Sequence, residues 1–145
     1  MASIHAQRGE LARAKEEAAQ AEQLLRETGS AEYAADTLSI LCLCHAAEHN
    51  WATFDSYEAK ALSVSEEVGH TELKLLCFLN LARAYIQVAA WYDEAKGEPP
   101  PLTNEQAVER ATDYANKAES LAEAKAMRGL LKKAKEVLAE IGRRR

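Results

Sequence analysis

Apolar and small residues recur every three or four positions along most of this chain, the spacing that gathers them on one side of an α-helix. In the stretch from Leu79 to Ala95, Leu81, Ala82, Tyr85, Val88 and Ala89 keep to it. No segment shows the strict alternation of a half-buried strand. Turn signals divide the pattern. Gly29-Ser30 and Gly69-His70-Thr71 read as a terminating glycine followed by a new helix start, and Asn50 precedes Trp51 at a tight turn. Lys96 to Pro101 is the one clear loop, because successive prolines remove backbone donors and favour an extended chain. Thr103 and Gln106 have the spacing of a capping box. The pattern predicts helices over 4–28, 31–49, 52–68, 71–95, 103–124 and 126–141.

The pattern also repeats. Shifted by 40, Ala21 falls on Ala61, Glu27 on Glu67, Gly29 on Gly69, Glu32 on Glu72, Leu41 on Leu81 and Trp51 on Trp91. Shifted by 57, Tyr57 falls on Tyr114, Lys60 on Lys117, Ala61 on Ala118, Ser63 on Ser120 and Glu66 on Glu123. The difference of 17 places an insertion around the prolines. One helix pair of this length cannot bury its apolar face alone, and stacked neighbours can.

The stretch NLARAYIQVAAWYDEA resembles the first helix and turn of a tetratricopeptide repeat, in which a Leu and a small residue are followed three positions later by Tyr. Leu81, Ala82 and Tyr85 fill those places, and Leu41, Cys42 and His45 fill them in the preceding copy. The second helix of that family carries small residues seven apart, here Ala14/Ala21, Phe54/Ala61 and Ala111/Ala118, with Phe54 a departure. The 40-residue period is similar to the longer-helix variants of the family.

The resemblance covers about 11–124 and implies an all-α, right-handed solenoid of antiparallel helix pairs in one domain. That domain holds about two and a half repeats, a loop insertion near 96–103 and a C-terminal capping helix at 126–142. It further implies a non-catalytic module that takes a peptide or helix of a partner in a concave groove. Alignment carries the groove positions to Asp36, Ser39, Leu43 and Ala46 in one copy and to Leu76, Leu79, Asn80, Arg83 and Ile86 in the next. Of these only Asn80 and Arg83 match the cationic and amide cluster with which some members hold a terminal carboxylate. The better expected ligand is therefore an apolar helix or extended segment.

Charge narrows the partners. Residues 125–145 hold eight cationic side chains against two anionic, a net of +6, so the other 124 residues carry −11 of the total −5. Phosphate neutralisation needs a basic surface, so nucleic acid is not an expected partner of the body. No apolar run reaches a membrane span, no signal-peptide core opens the chain, and a membrane is not an expected partner. Three cysteines in apolar helical stretches read as reduced, buried thiols, which suits a cytoplasmic protein.

Candidate chemistry is thin. Cys42, His45 and His49 share a helical face, but no second cluster supplies a fourth zinc ligand, so no metal or cofactor is expected. Cys77 has no neighbouring base, and Glu66-Glu67 and Asp93-Glu94 are adjacent on helices, where side chains diverge. No catalytic residue is expected. The proline insertion reads as a spacer, with a surface loop for a partner as the sharper alternative. The terminal stripe Leu130, Ala134, Val137, Leu138 and Ile141 reads as a cap over the last repeat, with a basic amphipathic helix for a membrane surface or an acidic partner as its alternative; its apolar face lacks bulky aromatic anchors, which counts against the membrane. Strong helix formers crowd both ends of the chain, while LSILCLCHAAEHN is idiosyncratic. That contrast keeps open a second class, an engineered or self-associating helical scaffold, including a homodimer. A metal-binding helical protein is a distant third.

Overall fold

The computed structural model describes residues 31–67 and 71–144, together with positions 12, 13, 16, 19, 20, 23 and 27, all of them helical and exposed. The expected helix over 4–28 otherwise lies outside the described residues, as does the Gly69 turn. Five helices follow: α1 (Ala31–Ala47), α2 (Trp51–Glu67), α3 (Thr71–Glu94), α4 (Asn104–Ala124) and α5 (Arg128–Arg143). Among the described residues there is no strand, so the all-α expectation holds. Helix limits differ from the sequence reading by one or two residues.

The helix ends show where local chemistry was less legible. Thr103 caps α4 as expected: its hydroxyl accepts from the Gln106 amide at 3.1 Å, and the Gln106 side chain accepts from the Thr103 amide at 2.9 Å. α1 and α4 instead stop at non-glycine residues in the left-handed region, His49 (φ 63°) and Ala126 (φ 55°). Around each, two amides fold back on the last turn: Asn50 to the His45 carbonyl and His49 to that of Ala46, then Met127 to Ala122 and Ala126 to Glu123. This closure usually employs glycine, which adopts positive φ without a Cβ clash.

α3 is the hub. It packs along α1 and α4 and touches α2 and α5, while α1 packs along α2 and α4 along α5. A helix with neighbours on several sides must be apolar on several sides. Leu75, Cys77, Leu79, Leu81, Ala82, Ala84, Tyr85, Ile86, Val88 and Ala89 are all buried. This corrects the expectation that no segment approaches a membrane span, because α3 is long and apolar enough by length and composition to cross one. In the folded chain those residues form the centre of the core. α5 lays Ala134, Val137 and Ile141 on α4 and α3, with Leu130 and Leu138 half-buried beside them.

Positions that coincide under the two shifts make like contacts. His45 stacks on Tyr57 at 5.4 Å, and Tyr85 stacks on Tyr114 at 5.9 Å. Lys60 lies 5.4 Å above the Tyr57 ring, and Lys117 lies 5.6 Å above that of Tyr114. The two shifted tryptophans both donate to the loop, Trp51 to the Glu98 carbonyl at 2.8 Å and Trp91 to that of Lys96 at 2.9 Å. Tyr92 donates to the Leu102 carbonyl, and Pro100 is buried. The proline insertion is thus fastened at several points to the helix ends.

Candidate functional site

The nine expected groove positions divide by accessibility. Ser39, Ala46 and Leu79 have no exposed surface, and Ile86 keeps 5%. Asn80 of α3 donates to the Ser39 hydroxyl of α1 at 3.1 Å, so these two positions meet in the contact between helices. Leu43, Leu76 and Asn80 are half-buried, and Arg83 is exposed. Asp36 lies in α1, with its side chain outside the described set. Solvent therefore reaches a narrow strip of the expected face: Leu76, Asn80 and Arg83 at i, i+4 and i+7 on α3, and Leu43 on α1. The burial of Leu79 and Ile86 follows from the central place of α3, whose repeated apolar positions face helices on more than one side.

A second constellation lies where α2, α3 and α4 converge. The Tyr85 hydroxyl donates to the Glu58 carboxylate at 2.6 Å, and the Tyr114 hydroxyl donates to Glu58 Oε2 at 2.8 Å. Arg110 Nη1 donates to the Tyr85 oxygen at 3.2 Å, with its guanidinium 5.7 Å above the Tyr85 ring. Phe54 meets Tyr85 edge-on at 5.2 Å, and Phe78 stacks against Tyr114 at 6.3 Å. The backbones of α2 and α4 stay apart, so Glu58 spans the space between them. The charge-assisted bonds at this carboxylate are stronger than neutral ones and fix three helices to one point.

Electrostatics make this junction a holder of protons. Burial, reinforced by the Glu58 carboxylate, raises both Tyr85 and Tyr114 well above the ordinary phenol range. The hydrogen bond to Tyr85 raises Arg110 further above its already high value. Neither phenol is tuned toward a neutral-pH acid or base. The sequence placed Tyr85 at a repeat position without assigning it partners, and singled out neither Glu58 nor Arg110. The available signal was Glu58 itself, a carboxylate four residues after buried Phe54 and three before buried Ala61, within an apolar stripe.

The three thiols and the imidazoles of His45 and His49 lie in the core or at a helix end. Burial, with Glu58 as the next cause, pushes the Cys42 thiol far above its usual range, and that thiol donates to the Phe54 carbonyl at 3.6 Å. Cys44 and Cys77 are buried too. His45 stacks on Tyr57, and His49 stacks on Trp51 at 5.4 Å. Among the described residues, no three His, Cys, Asp or Glu side chains gather into a group able to hold a metal.

Comparison with protein-family models, with curated proteins and with solved structures found no match.

Proposed function

We propose that the chain is a non-catalytic, tetratricopeptide-like protein-interaction module, a short solenoid of helix pairs that takes a peptide or helix of a partner protein. The single observation that carries this reading is the equivalence of contacts. The pairs His45/Tyr57 with Lys60 and Tyr85/Tyr114 with Lys117 stack and cap alike at the positions that coincide under the shifts. Such equivalence supports a repeated packing unit, and stacked units of this kind present extended faces for binding.

The partner contacts the strip Leu43, Leu76, Asn80 and Arg83. Ser39, Ala46, Leu79 and Ile86 hold the strip in shape from beneath, since they are buried. Leu43 and Leu76 supply apolar area, and Arg83 gives direction by charge. Protonated phenols and buried thiols lend themselves to packing rather than nucleophilic chemistry.

Selection from a displayed random-peptide library tests this. Recovered peptides bind the unmodified chain and lose at least about tenfold in affinity to Leu76→Glu and to Arg83→Glu, the scale of one interface residue of moderate weight. Peptides that bind both variants as tightly as the parent would sink the reading. Peptide-free self-association abolished by Leu76→Glu would favour the self-associating scaffold instead.

A further inference from the structure

We propose a second docking surface on the seam between α3 and α4: a shallow depression that takes an acidic peptide segment bearing one large apolar side chain. Lys74 and Phe78 come from α3, and Asn116, Lys117, Ser120 and Leu121 come from α4; together they line a volume of about 430 Å³. Lys74 lies two positions from Leu76, about 200° around the helix, so this seam faces away from the Leu43–Leu76 strip. The surface is thus independent of the one proposed above.

Its chemistry is one-sided. Among the described residues no carboxylate lines it. Among the described residues neither Lys74 nor Lys117 has an ion pair. The Lys117 ammonium rests 5.8 Å above the Phe78 ring and 5.6 Å above that of Tyr114, so it stands beside an apolar floor made by Phe78 and Leu121. Two cations without an ion pair thus stand beside a half-buried aromatic ring. A purely apolar partner would desolvate both ammonium groups without compensation, which is unfavourable. A partner with carboxylates flanking one apolar side chain pairs both cations and fills the floor.

The basic face of α5 is the natural control. Arg128, Leu131, Lys132, Lys135, Glu136 and Ala139 also line an open depression, but all six belong to one helix and one is a carboxylate.

The test is fluorescence anisotropy of the full chain with a fluorescein-labelled peptide, Asp-Glu-Phe-Glu-Glu, amidated at its end. Saturable binding is expected, weakened at least about tenfold by Lys117→Glu and by Lys74→Glu, and unchanged in Lys132→Glu and Leu76→Glu. Replacing the peptide's Phe by Ser, or its acids by amides, removes binding. The proposal is overturned by absence of saturable binding up to about 1 mM, or by equal binding in Lys117→Glu. Loss through Lys132→Glu alone assigns the peptide to α5 and overturns it too. Loss through Leu76→Glu but not Lys117→Glu moves the peptide to the first strip, with the same consequence here.

Discussion

Two junctions around α3 are built on opposite principles. Toward α1, Asn80 gives a neutral hydrogen bond to Ser39 beside an apolar core that includes wholly buried Leu79 and Ala46. Toward α2 and α4 the contact is aromatic and polar, with Tyr85 and Tyr114 converging on Glu58 under Arg110. The first junction derives strength from burial, which is indifferent to direction. The second derives it from hydrogen bonds, which fix orientation and are costly when a partner is missing. The α1–α3 contact therefore carries stability, while the Glu58 junction sets how α2 stands relative to α4.

The largest expected effect breaks the apolar side. Leu79→Ala leaves a cavity where no surface was exposed and costs about 2–5 kcal/mol, read from urea unfolding. Glu58→Ala comes next, at about 2–3 kcal/mol, because two phenol donors lose a charged acceptor in part-buried surroundings. A loss no larger for Glu58→Ala than for exposed Glu66→Ala would erase the contrast between the junctions.

pH sharpens the same comparison. Tyr85 and Tyr114 are raised in the folded state and ordinary, near 10, in the unfolded chain. Their contribution is complete below that value and is lost as pH rises above it, since the unfolded phenols release protons that the folded ones retain. Unfolding midpoints measured from pH 8 to 11 therefore fall on the alkaline side. The fall is shallower in Tyr85→Phe/Tyr114→Phe, whereas Leu79→Ala only displaces the curve. The smallest effect lies outside both junctions: Ala126→Gly relieves a positive-φ alanine and raises stability by about 0.5–1 kcal/mol in the same assay.

Much of the helical frame was legible, for a definite reason. Apolar spacing at three and four, the Thr103 capping box and the proline loop are local signals, and local signals predict local structure. What escaped depends on neighbours distant in sequence. The alignment gave Leu79 and Ile86 to a groove, yet the number of helices around α3 decides which sides of it meet solvent, and that number is not encoded within α3. The ends at His49 and Ala126 carry no glycine to announce them. Glu58 stood out in its stripe, but its partners lie 27 and 56 residues away.

The proposed function requires that the strip along Leu43, Leu76 and Arg83 stay open to a partner. Light scattering across a concentration series, with ANS in a parallel set, tests it most directly. The account predicts a monomer that binds the dye and loses part of that binding in Leu76→Glu. A dimer that excludes dye, and that Leu76→Glu separates into monomers, would show the face already filled by a second copy and would contradict it.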